Sequence, residues 1–285
     1  MKKREFIKKI SAGGCGIYCG APLLKGNKIK TSDDLWKWSI LADYQQETPR
    51  GIKCLICPNE CILKPGEMSD CRNRINHDGK LYSIAYGNPC SVHVDPIEKK
   101  PLNHFLPSTK AFSIATAGCN LACMNCQNWQ ISQVSPKETR NYNLMPDEVI
   151  KMALEYNCES IAYTYSEPIT FFEYMRDTSS QAKSAGIKNV MVSNGFINKD
   201  PCRKLATFVD AANIDLKAFR DDIYLRLTGG SLDPVLQTLR ILKENNVWLE
   251  ITNLIVPSWT DDPGMIKNMC KWLSNNGFED TPIHF

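Results

Sequence analysis

The sequence predicts an α/β protein in two parts: a small cysteine-rich N-terminal domain at residues 31–108, then a run of strand–helix units at 109–285. Three observations carry this. From Ala111 onward, short apolar β-branched runs alternate with helical patterns, the signature of a parallel sheet with right-handed crossovers. Acid–proline pairs, which open helices, recur between those runs. Seven of the 13 cysteines crowd into two short segments. A disulfide framework belongs to smaller secreted chains, so clustered thiols in a chain this long read as metal ligands.

The first 30 residues form a separate tail. Met1-Lys2-Lys3-Arg4-Glu5-Phe6-Ile7-Lys8 is basic, resembles a twin-arginine export signal with Lys in place of the first Arg, and leads to Ala12-Gly13-Gly14-Cys15. A bulk cytoplasmic location, where a low-potential electron donor is at hand, is the favoured expectation, with export the alternative. No stretch is long and apolar enough for a transmembrane helix. The net charge of +3 with no dominant basic run gives no sign of a nucleic-acid partner.

Asp33–Tyr44 reads as a helix with Leu35, Trp36, Ile40 and Leu41 as its apolar stripe. Cys54, Cys57, Cys61 and Cys71 then place four thiols within 18 residues. They form a second metal site, for zinc or for a second iron–sulfur cluster; the spacing leaves both open. Leu81–Tyr86 and Ser91–Val94 read as short strands around Asn88-Pro89. Asp95–Pro107 contains three prolines, which forbid a long helix; it reads as an extended linker that packs its apolar residues and leads into the next strand, and composition favours a solvated connector over a charged centre that reaches a functional site.

The barrel strands are expected at Phe112–Ala117, Ser160–Thr164, Asn189–Ser193, Ala211–Leu216, Trp248–Val256 and Pro282–Phe285. Asp200, Asp233 and Asp262, each before a proline, are expected helix caps, and Gly186 a helix stop. In such sheets chemistry gathers beyond the carboxyl ends of the strands. Just beyond the first strand lies Gly118-Cys119-Asn120-Leu121-Ala122-Cys123-Met124-Asn125-Cys126-Gln127-Asn128. Cys119, Cys123 and Cys126 can hold three irons of a [4Fe–4S] cube, where an electron carrier usually supplies four ligands. The fourth position stays open, as in catalytic metal sites. On the fourth strand, period-two geometry points Asn213, Asp215 and Lys217 to one face. His93, His104 and His284 receive no role, and Cys158, Cys202 and Cys270 read as small core side chains.

The Cys-x3-Cys-x2-Cys loop after a strand resembles the radical S-adenosylmethionine (SAM) superfamily. The resemblance implies an open, partial (β/α)6 barrel, a [4Fe–4S] cluster and bound SAM, reductively cleaved to a 5′-deoxyadenosyl radical that abstracts hydrogen from a substrate. Tyr165-Ser166-Glu167-Pro168 resembles the superfamily's Gly-Gly-Glu-Pro segment, with Tyr165 and Ser166 in place of the glycines. By this resemblance Ser166, Glu167, Asn194, Gly195, Asp215, Lys217 and Asn253 bind SAM, Lys217 and the three thiols forming the catalytic set. The four-cysteine start, Asp95-Pro96-Ile97-Glu98-Lys99-Lys100-Pro101-Leu102 and the cluster loop together resemble the AmmeMemoRadiSam-system radical SAM enzymes, relatives of pyruvate formate-lyase activating enzyme. That implies a flavodoxin- or ferredoxin-type electron donor and a protein or small-molecule substrate, a glycyl-radical enzyme among the candidates. Related chains continue past the sixth strand, so a fragment or a barrel without its closing helix is expected. A two-cluster electron-transfer protein, or a zinc-binding scaffold, is the alternative of a different class.

Overall fold

The structure, a computed structural model, describes residues 37–285. The expected targeting segment, and the Leu35–Trp36 part of the expected first helix, lie outside them. Within the described part that helix is replaced by strand β1 (Ile40–Leu41), paired with β6 (Lys80–Ser83). Tertiary contacts override the local pattern here: Trp38 is buried and its Nε1 donates to Asn143 Oδ1 at 2.7 Å.

Two three-stranded sheets build the cysteine-rich unit. One is ordered β1-β6-β5, with β5 at Arg74–His77; the other is β2-β3-β4, at Gln45–Thr48, Gly51–Cys54 and Ile62–Leu63. The main sheet has seven strands in sequence order: β7 (Ser91–Pro96), β8 (Lys110–Ala115), β9 (Ser160–Tyr163), β10 (Lys188–Ser193), β11 (Ala211–Asp215), β12 (Trp248–Thr252) and β13 (Ile283–His284). β8 to β13 are parallel, and β7 joins the β8 edge antiparallel. The sheet thus takes in a strand that precedes residue 109. Helices α1 (Trp129–Ser132), α2 (Pro146–Glu155), α3 (Phe172–Ser184), α4 (Lys199–Ala206), α5 (Asp221–Thr228), α6 (Leu232–Glu244) and α7 (Pro263–Asn275) fill the crossovers.

Of the three expected acid caps only Asp262 caps, its carboxylate accepting from Gly264 N at 2.9 Å. α4 and α6 begin at Lys199 and Leu232, so Asp200 and Asp233 fall inside the first turn. The proline after each is tolerated there because first-turn amides have no intrahelical acceptor to lose. Gly186 follows α3 at φ +75°, a conformation glycine adopts without penalty.

One sheet face is packed under the helices: Phe112, Ile114, Ile161, Tyr163, Met191, Ile214 and Ile251 belong to the main core. The opposite face carries small residues, Ala111, Ala162, Val190 and Ala211, and these enclose Ile97, Leu102 and Phe105. The linker's apolar residues pack as expected, but they do so inside the barrel, so the segment is a plug and not the solvated connector that its composition favoured. It forms a 3-10 turn at Ile97–Lys99 and buries Ile97 and Leu102 completely. Each contributes about 1.5–3 kcal/mol by leaving water. Its charges are satisfied internally: Lys100, fully buried, bonds Asp95 at 2.6 Å, and Lys99 bonds the same carboxylate at 2.8 Å. Burial alone would raise the proton affinity of Asp95, but the two ammoniums and the Tyr165 hydroxyl hold it well below the usual carboxylate range. The plug is fastened to the strands at Asn213, whose Nδ2 donates to Pro101 O at 2.9 Å, and at Glu250, which accepts from the amides of Asn103 and His104 at 3.0 and 2.8 Å. Cys158 and Cys202 are buried as expected; Cys270 is exposed on α7 instead.

Candidate active site

The three-thiol loop leaves the end of β8 and is tied down by its polar neighbours on every side. Ala122 N and Met124 N donate to Thr228 O and Leu227 O at the end of α5, at 2.8 and 2.9 Å. Asn120 Nδ2 donates to Phe196 O at 2.7 Å, beyond β10, and Asn128 Nδ2 to Tyr165 O at 2.7 Å, beyond β9. Gln133 Nε2 closes the loop on Leu121 O at 3.0 Å. Cys119, Cys123 and Cys126 are all partly exposed. Among the described residues no three of their donor atoms lie within 4.8 Å of one another, so the set is wider than one small ion requires. Burial pushes the Cys119 thiol well up, reinforced by Glu167; burial also raises Cys123, with Lys217 opposing. Thiolates at these positions form when a metal supplies the compensating charge.

Around the thiols stand the side chains from the next strand ends. Asn194 Nδ2 lies 3.8 Å from Cys119 Sγ and donates to Asn120 Oδ1 at 2.8 Å. Lys217 bonds Asp215 at 2.9 Å, and that carboxylate together with Cys123 more than offsets the burial that would lower its proton affinity. Glu167, 1% exposed, caps the turn after it: its Oε1 accepts from Ile169 N at 3.1 Å and Ser193 Oγ at 2.7 Å, its Oε2 from Asn194 N at 2.8 Å. Burial nevertheless pushes its carboxyl up to about 7. Ser166 turns to β8, donating to Thr116 O at 2.7 Å. Gly195 sits at φ +68°, where a Cβ would meet Ile214 Cγ2 at 2.9 Å. Asn253 Nδ2 donates to Leu216 O at 2.6 Å, while its buried Oδ1 has no partner.

Tyr165 has a left-handed backbone, φ +66°, a conformation that favours glycine. Strain of roughly 1–3 kcal/mol at such a residue persists only when the surroundings over-determine it. They do: its hydroxyl bonds Asp95, Lys100 Nζ sits 4.3 Å from the ring centroid, the His93 ring meets it edge-on at 5.8 Å, and Asn128 holds its carbonyl. The plug thereby reaches the site through Tyr165.

The geometry brings Cys119, Cys123, Asn194, Glu167, Asp215 and Lys217 to one end of the barrel. Asn120 and Asn128 were visible in the motif but given no role; polar side chains flanking ligand thiols were the available signal. Thr228 carries no local signal, because its part comes from the distant packing of α5. His104, Glu250 and His284, which the sequence left unassigned, also meet, their donor atoms within 4.8 Å of one another. Both histidines contact Glu250 Oε2, at 3.3 and 2.7 Å, and the same carboxylate fastens the plug.

The chain is thus a parallel, open α/β sheet that carries a three-thiol loop at its carboxyl end. The family model of the radical SAM superfamily matches residues 113–273, more than half of the chain, and the chain belongs to that superfamily. An uncharacterised protein of Methanocaldococcus jannaschii is 43% identical over 242 residues, covering 85% of this chain and 72% of its own. The pyruvate formate-lyase 1-activating enzyme of Escherichia coli is 32% identical over 152 residues, 51% of this chain; the chain spans 61% of that enzyme's length. Among solved structures, a radical SAM methyltransferase from Sphaerobacter thermophilus aligns with a TM-score of 0.47 at 15% identity, over 63% of this chain and 56% of that one. The fold assignment rests on the chain's own sheet and on the family model.

Membership implies a [4Fe–4S] cluster and SAM. The residues present fit both: three partly exposed thiols, one fewer than a saturated cube takes, and the buried, unpartnered acceptor Asn253 Oδ1 just past the end of β12. Among the described residues no helix is long and apolar enough to cross a membrane.

Proposed function

We propose that this protein cleaves SAM reductively and uses the resulting radical to take a hydrogen atom from its substrate. The observation that carries this is the three-thiol loop clamped between the ends of β9, β10 and α5 with Asn194 against Cys119. Cys119, Cys123 and Cys126 would hold the cluster. When bound, cluster and SAM together supply a 5′-deoxyadenosyl radical from one electron. Asn194 Nδ2–H points toward the first ligand sulfur, where a hydrogen bond steadies negative charge and tunes the site. Lys217, kept protonated by Asp215, offers a fixed positive charge to a carboxylate. Asn253 Oδ1 offers an acceptor, and Gly195, whose missing Cβ leaves room for Ile214 and Val235, sets the turn that presents Asn194. Glu167, already engaged by three donors, holds the ends of β9 and β10 in register, and its remaining acceptor capacity would receive the ligand's ammonium. The substrate class follows the activating-enzyme relatives: a protein that receives a radical at its backbone. A one-electron flavodoxin- or ferredoxin-type protein is the donor.

Anaerobic reconstitution with iron and sulfide, followed by assay for 5′-deoxyadenosine from SAM under strong reductant, tests the reading. Wild type forms deoxyadenosine and Cys123→Ala does not. Equal turnover in the variant rejects the assignment of the cluster to this loop; iron bound without SAM cleavage in wild type replaces the reading with that of a two-cluster electron carrier.

A further inference from the structure

We propose that Cys54, Cys57, Cys61 and Cys71 hold a four-thiolate iron–sulfur cluster rather than zinc, and that this cluster is the inlet through which electrons reach the three-thiol site. The four thiols converge. Cys54 and Cys61 are joined across β3 by the Cys54 N–Cys61 O bond at 2.9 Å, and a tight turn returns Glu60 N to Cys57 O at 3.1 Å. Cys71 sits beside them, its sulfur 3.1 Å from Ser69 Oγ. Zinc holds sulfurs at about 2.3 Å, so four of them around one ion lie about 3.8 Å apart. Among the described residues no three of these sulfurs fall within even 4.8 Å of one another. Like Cys119, Cys123 and Cys126, they stand wider than one small ion gathers its ligands, and a cube of four irons takes a wider set.

A second observation points to metal-held thiolate at this place. Arg74 is fully buried, and its guanidinium is held by Glu173 through two bonds of 2.9 and 3.0 Å, yet its Nε–H has no partner. The same residue's backbone N–H donates at 3.2 Å to Ser69 Oγ, the group in contact with Cys71. An unpaired buried donor costs about 1–3 kcal/mol. Thiolate and sulfide sulfurs on a cluster at the adjoining thiols are acceptors it lacks.

The placement argues for electron flow. Asn59, between Cys57 and Cys61, donates through Nδ2 to Asn120 O at 2.9 Å, and Asn120 follows Cys119. Gly118, which precedes Cys119, lies against Cys71: a Cβ built on it would stand 2.4 Å from Cys71 O. With successive Cα atoms about 3.8 Å apart, two such contacts place the ligand sets on the order of 10 Å from each other. Cys54, Cys57 and Cys71 are buried, while Cys61 is partly exposed and gives the outer set a face for a donor protein. The balance is simple. A reduced one-electron protein donor is oxidised, the outer cluster is reduced by one electron, and it is reoxidised as that electron passes to the inner cluster. No proton or atom is transferred.

The identity of the outer group is independent of the SAM reading; the inlet role rests on it. The full chain is reconstituted anaerobically with iron and sulfide in the presence of equimolar zinc, and metal content and the EPR of the reduced protein are measured. The triple variant Cys119→Ala/Cys123→Ala/Cys126→Ala is expected to keep about four irons per chain and a reduced-cluster signal that SAM does not alter. One zinc per chain without iron, or no metal, overturns the proposal, whether or not wild type cleaves SAM. In Cys57→Ala/Cys61→Ala, titanium(III) citrate is expected to reduce the inner cluster, with its SAM-dependent EPR change intact. Reduction by a flavodoxin-type protein falls at least tenfold. Cys61→Ser, which keeps an oxygen ligand, serves if the double variant does not fold and is expected to slow the same step. Equal rates with both donors overturn the inlet role.

Discussion

Removing the carboxylate of Glu173 probes the join between the cysteine-rich unit and the barrel. Arg74 on β5 and Glu173 on α3 form an ion pair with both side chains 0% exposed, Arg74 Nη2 donating to both carboxylate oxygens, and Glu173 also accepts from Asp43 N at 2.9 Å. Glu173→Ala leaves a buried guanidinium with no counter-ion, a loss that costs about 3–5 kcal/mol. At ~2.1 cal/mol/K of unfolding entropy per residue, a 285-residue chain gains ~0.6 kcal/mol/K, so the melting temperature falls by about 5–8 °C. Replacing both partners by apolar residues, as in Arg74→Met/Glu173→Leu, removes the desolvated charge as well as its partner and restores most of the loss. The assay is anaerobic thermal unfolding of the cluster-free chain, followed by circular dichroism, for wild type, both single variants and the double. A shift below about 1 °C for Glu173→Ala, or a double variant as unstable as the worse single, refutes the reasoning that an intact buried pair joins the two units.

The other predictions concern the site. Glu167 has a folded-state pKa of about 7 against an ordinary 4.5, so between those pH values the folded chain retains a proton that the unfolded chain has released. Stability from this group is therefore full below about pH 4.5 and declines by about 3 kcal/mol as pH rises to 7. Urea unfolding of wild type and Glu167→Gln at pH 5 and 7.5 reads this directly, and a constant difference between them contradicts it. Gly118→Ala forces a Cβ to 2.4 Å from Cys71 O at φ +98° and is expected to cost about 2–4 kcal/mol. Gly66→Ala, at φ +84° with open space, costs only about 1 kcal/mol; equal losses by denaturant titration would show that the close approach does not matter. Asp95→Asn leaves the buried Lys100 ammonium without its carboxylate and frees the Tyr165 hydroxyl, so a loss of about 3–5 kcal/mol is expected in the same titration.

What the sequence revealed, it revealed through local chemistry. The thiol spacings, the period-two alternation of Asn213 and Asp215 and the β-branched strands are properties of neighbouring residues, and all six parallel strands fall within a few residues of their expected bounds. What it hid depends on distant partners. Asp95–Pro107 looks solvated because its charges are numerous, yet Asp95, Lys99 and Lys100 neutralise one another and free Ile97 and Leu102 to enter the barrel. Asp200 and Asp233 have the composition of caps, but α4 and α6 start earlier, on residues whose packing decides the boundary. Tyr165 in a left-handed turn is legible only once Asp95, Lys100, His93 and Asn128 are seen to hold it.

The account depends on an iron that three thiols leave open to SAM. The most direct measurement is electron–nuclear double resonance of the reduced wild-type chain with SAM carrying 15N in its amino group. The account predicts a 15N coupling that is absent with unlabelled SAM and absent in Cys123→Ala. A reduced cluster whose spectrum shows no 15N coupling, with SAM demonstrably bound, would contradict it.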